Sequence, residues 1–266
     1  MSKSNKKEVH DYWDEESCGT WLTNKEKYSK EYFDEIEIAR YELEPYIYSF
    51  AEFENYKNKN VLEVGVGAGT DFINWLRNGA NSYGIDLTNE AIDNVKHRLG
   101  LENLKASALK VADAEKLPFD DNKFDLVYSW GVIHHSPDTP KALEEISRVT
   151  KAGGEIKIMI YNRYSVTAFW VWVRNCLMKG RPWKSLSYAV ANFVESPGTK
   201  AYTLNEAKEL FIDAGLQITS INNILTWCDL AKTSRSIFVK FIHRILAFLG
   251  GGNKAGWFML VKAIKK

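Results

Sequence analysis

The chain contains 266 residues, of which 45% are apolar and 26% are charged. That length can bury a full hydrophobic core without disulfides, and the three scattered cysteines, Cys18, Cys176 and Cys228, argue against a disulfide framework and a zinc site. A balance of 35 Lys and Arg to 34 Asp and Glu excludes a molecule that is basic throughout. No secretion signal or membrane-spanning apolar run is visible, so we expect a soluble cytoplasmic protein.

The N-terminal region is predicted to form an arm ahead of the main domain. Residues 1–24 are polar with interspersed aromatics, and we expect them to be irregular. Tyr32, Phe33 and Ile36 then begin an apolar pattern with spacings of three and four, which predicts a helix. Pro45 is expected to end that helix or to open a second short one.

From residue 60 onward, apolar runs of strand length alternate with helical patterns. The predicted strands cover residues 61–64, 82–85, 104–112, 124–129 and 155–161. Helices are predicted from Phe72 to the Asn78-Gly79 pair, from the capping residue Thr88 to Leu99, and from Thr139 to Thr150. This alternation predicts an α/β fold with a parallel sheet and helices on both faces.

After Tyr161 the alternation gives way to longer apolar segments. Residues 162–195 are rich in Trp, Phe and Val and are predicted to be helical. A capping box from Thr203 to Glu206 predicts a further helix that stops at Gly215. The remaining predicted elements are a strand at residues 216–224, a basic apolar helix at 231–249 and a last strand at 257–264.

A glycine-rich turn links the first strand to the following helix. Gly65, Gly67 and Gly69 would let the backbone approach a ligand closely, and the helix start offers free N–H groups to an anionic group. Asp86, at the end of the next strand, can accept two hydrogen bonds from a ribose diol. Together they predict a nucleoside-cofactor site, although each alone could be an ordinary turn or helix cap.

Two cofactors compete for such a site, NAD and S-adenosylmethionine (SAM). The dinucleotide fingerprint reads G-x-G-x-x-G, whereas this turn reads G-x-G-x-G. Thr70 stands where a third fingerprint glycine would be. The spacing therefore favours SAM, and a hydride-transferring enzyme that binds NAD is the remaining alternative.

Several segments, in this order, resemble the motifs of class I SAM-dependent methyltransferases, especially those that act on small molecules. The similar segments are VLEVGVGAGTD, GIDLT, VADAEKLPFDDNKFDLVYSWGVIHHSPD and EEISRVTKAGGEIKIMIY. The resemblance covers roughly residues 60–161, and Ala152 replaces the proline that the family usually has before its Gly-Gly pair. It implies a Rossmann-like, doubly wound sheet of seven strands, mostly parallel with an antiparallel last strand.

The resemblance also implies a division of the chain. Residues 56–266 would form the methyltransferase domain, with helical insertions at about 162–200 and 227–252. Residues 1–55 would form a helical arm that folds over the cofactor as a lid, or that simply packs against the domain.

Carried over position by position, the resemblance implies a SAM site at the carboxyl edge of the sheet. Gly65, Gly67 and Gly69 would cradle the methionine end of SAM, and Glu63 would face its ammonium group.

The same carry-over places the nucleoside. Asp86 would hold the ribose hydroxyls, and Leu87 would pack on the adenine ring. Asp113 would accept a hydrogen bond from the adenine amino group, and Ala114 would supply a backbone contact.

The implied reaction is in-line transfer of the SAM methyl group to an acceptor in a dry pocket, which leaves S-adenosyl-L-homocysteine (SAH). Trp130 and Gly131 would line the pocket floor. His134 and His135 are candidate general bases, or they only shape the loop. A metal held by these histidines and Asp138 is disfavoured, because adjacent histidines rarely reach one ion and no further ligand is visible. We therefore predict no metal site.

The acceptor is predicted to be a small apolar or aromatic molecule. The segments 168–194 and 236–250 are apolar and basic with almost no acid. They are interpreted as a lid over the acceptor, as a homodimer interface, or as helices lying on an anionic membrane surface. In the last case the acceptor would be a lipid or a prenylated ring.

Two other classes of function stay open. A non-catalytic SAM-binding scaffold would keep the fold and use the insertions for partners. A nucleic-acid methyltransferase is disfavoured, because the chain lacks both an N/D-P-P-Y motif and a Pro-Cys pair. Its residues 1–224 are also acidic, since eight of the 35 Lys and Arg but only Asp229 of the acids lie in residues 225–266. We therefore predict no nucleic-acid partner.

Overall fold

A computed structural model describes residues 6–15 and 17–266 of the chain. The strands of its sheet are β1 (Asn60–Val64), β2 (Asn81–Asp86), β3 (Ala108–Val111), β4 (Phe124–Trp130), β5 (Thr150–Tyr161), β6 (Leu216–Ile224) and β7 (Phe258–Lys265). The α-helices of the described part are α1 (Lys6–Glu15), α2 (Lys30–Leu43), α3 (Ile47–Ala51), α4 (Thr70–Arg77), α5 (Asn89–Glu102), α6 (Thr139–Val149), α7 (Val166–Asn175), α8 (Leu186–Phe193), α9 (Leu204–Asp213) and α10 (Ile237–Leu249).

The sheet has the strand order β3-β2-β1-β4-β5-β7-β6. The first five strands of this order pair in parallel, and β7 runs antiparallel to both of its neighbours. This confirms the predicted Rossmann-like, seven-stranded fold. The chain direction across the sheet reverses between β1 and β4, and open α/β sheets bind ligands at the carboxyl ends of the strands beside such a reversal.

The sheet is covered on both faces, and successive residues of its central strands contribute apolar side chains to opposite layers. Leu62 of β1 and Val127 of β4 face one buried layer, together with Phe211 of α9. Val61 and Leu126, their sequence neighbours, face the opposite layer. A parallel sheet buried on both faces requires this pattern, which fixes the strand register and hence the position of each strand end.

The predicted helix starts are confirmed by their caps. The Thr88 hydroxyl oxygen accepts a hydrogen bond from the Ala91 backbone N–H, and Asp138 caps α6 in the same way through Lys141. Thr203 and Glu206 form the predicted capping box at the start of α9. These side chains satisfy backbone donors that the first turn of a helix leaves unpaired.

The arm is more regular than its sequence pattern indicated. The prediction that residues 1–24 are irregular is wrong for Lys6–Glu15, which forms α1. Val9 is buried, and Asp14 accepts a hydrogen bond from the Glu90 backbone N–H on α5. Docking against α5 stabilises a polar helix that would be marginal alone. The remaining residues of the prediction include 1–5 and 16, which lie outside the described part.

Three element limits also differ from the predictions. The helix predicted at 231–249 begins only at Ile237, because Ser236 caps it. The strand predicted at 104–112 is shortened to β3. The fifth strand starts at Thr150 rather than Glu155, because Thr150 already pairs with Phe124 across the sheet.

Candidate active site

A cleft opens at the carboxyl ends of β1, β2 and β4, beneath the N-terminal arm. The predicted site residues on its lining are Gly65, Gly67, Asp86, Leu87, Asp113, Ala114, Trp130, Gly131 and His135. Within the described residues, the lining does not include Glu63, Gly69 or His134. The structure therefore brings most of the predicted residues to one place, and their individual roles stay predictions.

The glycine turn has a backbone that other residues would not tolerate. Gly65, Gly67 and Gly69 have φ angles of 83°, 49° and 80°. A Cβ atom on Gly65 would lie 2.2 Å from Val132 Cγ2. The N–H of Gly65 donates to the Ile85 carbonyl at 2.8 Å, which ties the turn to the end of β2. Glycine is therefore required by both conformation and space.

Asp86 connects the glycine turn to the start of α5. Its Oδ2 accepts a hydrogen bond from the Gly67 N–H at 3.1 Å, and its Oδ1 accepts from the Thr88 N–H at 3.1 Å and hydroxyl at 3.0 Å. Burial raises the pKa of Asp86, and the hydrogen bonds from Gly67 and Thr88 oppose that shift. The carboxylate is thus fixed on the cleft lining, where the predicted role requires it to accept hydrogen bonds from the ribose hydroxyls.

At the next strand end, Asp113 is held by the arm. Its Oδ1 accepts a hydrogen bond from the Glu115 N–H at 2.9 Å, and its Oδ2 contacts Lys6 Nζ. Lys6 also bonds Glu115 at 2.6 Å. Helix α1 therefore reaches over the predicted adenine end of the cleft, a contact that no sequence pattern indicated.

Glu63 is buried and does not belong to the described cleft lining. Its Oε2 accepts a hydrogen bond from Trp75 Nε1 at 2.9 Å, and burial followed by the nearby Asp71 charge raises its pKa well above the usual range. Two charged residues of the arm, Arg40 and Glu44, line the cleft instead. Arg40 pairs with Asp71 at 3.0 Å. Sequence reasoning missed this buried ion pair, because α2 carried no motif.

His135 lies on the cleft lining in the loop after β4, in a network with residues of the first insertion. Its Nδ1 is 2.9 Å from Ser196 Oγ and 3.0 Å from Thr199 Oγ1, and its Nε2 is 3.2 Å from Glu195 Oε2. The Tyr161 hydroxyl donates to the same Glu195 oxygen at 2.8 Å. Tyr161 and Glu195 also line the cleft.

His134 stands behind this network. It is 0% exposed, and its ring centroid lies 3.9 Å from that of Tyr161. Burial lowers the pKa of His134 well below its usual value, and its neighbours His135 and Lys200 add to this effect. Burial therefore disfavours the charged form of His134. Of the two predicted catalytic histidines, His135 is the one on the cleft lining.

The rest of the acceptor end is aromatic. The cleft is lined there by Trp13 and Trp21 of the arm, by Trp227 and Trp257 of the C-terminal region, and by Tyr161. The Trp13 ring packs edge-on against His135 with centroids 5.1 Å apart. This end can exclude water and hold an apolar or aromatic molecule.

Comparison with known proteins agrees with this geometry. Residues 62–158 match a family model described as "Methyltransferase domain". The demethylmenaquinone methyltransferase of Thermobifida fusca (strain YX) is 28% identical over 197 residues, which cover 73% of this chain and 79% of that protein. The chloroplastic tocopherol O-methyltransferase of Arabidopsis thaliana is 35% identical over 120 residues, which cover 44% of this chain and 34% of that protein.

The solved structures agree on the fold. The geranyl diphosphate C-methyltransferase of Streptomyces coelicolor A3(2), crystallised with Mg²⁺, geranyl diphosphate and SAH, has a TM-score of 0.67 at 17% identity and covers 98% of this chain and 97% of its own. The chain spans 26% to 44% of the length of the first curated relatives that it matches. The matched domain, strand order and cleft support a class I SAM-dependent methyltransferase with SAM as its methyl donor.

Proposed function

We propose that this protein transfers the methyl group of SAM to a small apolar or aromatic acceptor. The observation that carries the proposal is one cleft whose lining includes both the glycine turn with Asp86 and an aromatic wall beside His135. A tocopherol and a demethylmenaquinone methyltransferase among the relatives support an apolar ring as the acceptor.

Each end of the cleft would contribute a different part of the reaction. SAM supplies an electrophilic methyl group when it is bound. Asp86 and the backbone of the glycine turn would hold its nucleoside and methionine parts, which orients the methyl group along the cleft. The acceptor-side aromatics would exclude water and place the acceptor in line with that group.

We further infer that residues 1–55 act as a lid on this cleft. Lys6, Trp13 and Arg40 all lie on its lining, although they come from separate parts of the arm. On this proposal, movement of the arm would control ligand entry and release. SAM binding should therefore protect the arm from proteolysis.

The test is transfer of radiolabelled methyl groups from SAM to a reduced naphthoquinone, 2-methyl-1,4-naphthoquinol, with phosphoethanolamine as a polar comparison acceptor. We expect organic-extractable label from the quinol alone. Asp86→Ala should abolish transfer, and the matched surface change Asp213→Ala should leave it unchanged. Label on phosphoethanolamine and none on the quinol would contradict an apolar acceptor.

A second candidate is the same reaction at a membrane surface, with a lipid or prenylated ring as the acceptor. The observation that favours it is the outer face of α10, where Ile237, Phe238 and Phe248 are 84%, 70% and 82% exposed. Lys240 and Arg244 lie on the same helix, which contains no acidic residue. Such a helix fits an anionic bilayer surface better than a lid, because apolar side chains enter the lipid while basic ones meet the headgroups.

Helix α10 has the position that a surface contact requires. It packs against α7 through the Trp170 and His243 rings, whose centroids are 5.0 Å apart. No α10 residue belongs to the cleft lining in the described part of the chain. Within that same part, no helix is long and apolar enough to cross a bilayer.

Sedimentation with vesicles tests this second candidate. We expect binding to phosphatidylserine-containing vesicles, weaker binding to pure phosphatidylcholine vesicles, and loss of binding in Phe238→Glu/Phe248→Glu. Ile212→Glu, an exposed apolar site on α9, is the matched control. The contrary result is a protein that stays in the supernatant of the vesicle assay. If analytical ultracentrifugation without vesicles then shows a dimer, α10 would instead be favoured as a homodimer interface.

A further inference from the structure

Three potential metal ligands meet at the acceptor end of the cleft. His134, His135 and Glu195 each offer one ligand atom, and these atoms all lie within 4.8 Å of one another. The two histidines are 0% and 4% exposed. Asp138, the third ligand considered from the sequence, caps α6 instead, and Glu195 from the first insertion takes its place beside the histidine pair.

The hydroxyls of Ser196 and Thr199 both lie beside Nδ1 of His135, at 2.9 Å and 3.0 Å. Thr199 Oγ1 donates its hydrogen to the Ser196 carbonyl at 2.6 Å. It can therefore only accept from His135 Nδ1, which lies 3.0 Å away. In the neutral tautomer that donates from Nδ1 to Thr199, the lone pair is on Nε2, the atom nearest Glu195.

That lone pair faces a carboxylate oxygen. His135 Nε2 is 3.2 Å from Glu195 Oε2 but makes no hydrogen bond among the described residues. The Tyr161 hydroxyl already donates its hydrogen to this oxygen. In this tautomer two acceptor atoms lie close together, and a cation between them, either a proton on Nε2 or a metal ion, would make the contact attractive. Two ligands of a tetrahedral metal with bonds of about 2.1 Å are about 3.4 Å apart, close to the separation observed here.

Two independent features of the neighbouring residues agree with a cation. Neither ring nitrogen of the buried His134 has a hydrogen-bond partner in the described part of the chain, which is costly for a polar group away from water. Glu195 has a φ angle of 49°, in the left-handed region that non-glycine residues rarely adopt. Strain of this kind is tolerated mainly where a functional group must be placed.

We propose that His134, His135 and Glu195 bind one divalent transition-metal ion, such as Zn²⁺, at the acceptor end of the cleft. Two imidazoles and a carboxylate suit ions of intermediate softness better than Mg²⁺ or Ca²⁺. Thr199 contacts Nδ1 of His135, and the Tyr161 hydroxyl donates to Glu195. Metal ligands in proteins commonly have such outer hydrogen-bond partners.

Three protein ligands leave one coordination position open, as in catalytic zinc sites. Because His135 and Glu195 line the cleft, that position would face the acceptor. An acceptor oxygen bound there would lose its proton more readily. This last role rests on the proposed function, whereas metal binding itself does not.

The test is titration of the full-length protein, after removal of metal by a chelator, with Co²⁺ followed by visible absorption and with Zn²⁺ followed by calorimetry. We expect one equivalent of each to bind, with the strong visible bands of four- or five-coordinate Co²⁺. His135→Gln and Glu195→Gln should each weaken binding at least about 100-fold, and Tyr161→Phe about 10-fold. His97→Gln and Glu209→Gln, the same changes at exposed positions, should leave the affinity unchanged.

Two results would overturn the proposal: no binding of either ion, or binding that persists in both site variants. Glu195 has a side chain that is 36% exposed, so Glu195→Gln should stay folded even where a histidine variant does not. A calorimetric titration of SAH with the same preparation separates the two claims. SAH binding without metal binding would contradict the proposed metal site but would remain consistent with the proposed methyl transfer.

Discussion

The two ends of the cleft are built in different ways. The cofactor end consists of short turns that directly follow strands, and its main contact joins Gly67 to Asp86 within one strand–helix–strand unit. The acceptor end joins residues far apart in the chain, such as His135 of the loop after β4 and Glu195 of the first insertion. The first end is therefore fixed by local backbone geometry, whereas the second depends on how the insertion docks.

The largest expected effect is the loss of stability when a glycine in each part of the cleft is replaced by alanine. Gly65→Ala combines a φ of 83° with a contact of 2.2 Å to Val132. We expect it to lower the free energy of unfolding by about 4 kcal/mol. Gly131→Ala, at φ 75° and 3.1 Å from the flexible Met159 terminus, should cost about 1 kcal/mol.

Urea denaturation measures both losses. Gly100→Ala is the control, because a Cβ there meets no atom within 4 Å, and stability should stay equal or rise slightly. Equal losses for Gly65→Ala and Gly131→Ala would remove the contrast between a rigid cofactor end and an adaptable pocket floor.

The next effect concerns the acid that the arm buries beside the cleft. Burial raises the pKa of Glu44 from 4.5 to about 7, although the Arg40 charge opposes the shift. Between these values the folded protein binds more protons than the unfolded chain, so stability falls as the pH rises from about 4.5 to about 7. The contribution of Glu44 is on the order of 3 kcal/mol.

Unfolding curves at pH 5 and pH 7 check this sign. Glu44→Gln should remove most of the loss of stability on going to pH 7, whereas the variant of an exposed acid two residues earlier, Glu42→Gln, should retain it. A wild-type protein that gains stability over this range through Glu44 would show that Arg40 outweighs burial.

The smallest effect is expected at the arm contact with the cofactor end. Lys6 bonds Asp113 and Glu115, but its side chain is 41% exposed, and ion pairs of that kind contribute little. Lys6→Ala should weaken SAH binding by less than about threefold in calorimetry, and Lys6→Arg should restore it. A far larger loss would mean that the arm forms part of the cofactor site itself.

The same contrast explains what the sequence could predict. The turn from Gly65 to Gly69 and the acid Asp86 each follow a strand that apolar patterning identifies, so their place at one sheet edge follows from the fold. Glu195 lies in a polar turn with no periodic pattern, and only the docked insertion brings it to His135. Lys6 and Arg40 were missed for the same reason, because long-range ion pairs leave no local pattern.

Glu63 shows a second limit of sequence reasoning. Its position at the end of β1 was predicted correctly, but its side chain bonds Trp75 of α4 rather than facing the cleft. The direction of a side chain at a strand end depends on which side chains of the adjacent helix pack against it. Here a buried indole N–H needed an acceptor, and the Glu63 carboxylate satisfies it.

Calorimetric titration of SAH into the wild-type protein and Asp86→Ala tests the central claim most directly. We expect the wild-type protein to bind one equivalent of SAH. The affinity of Asp86→Ala for SAH should be at least about 100-fold weaker, because charge-assisted hydrogen bonds are lost. A folded wild-type protein that binds no SAH, or an Asp86→Ala variant that binds it equally well, would contradict the account.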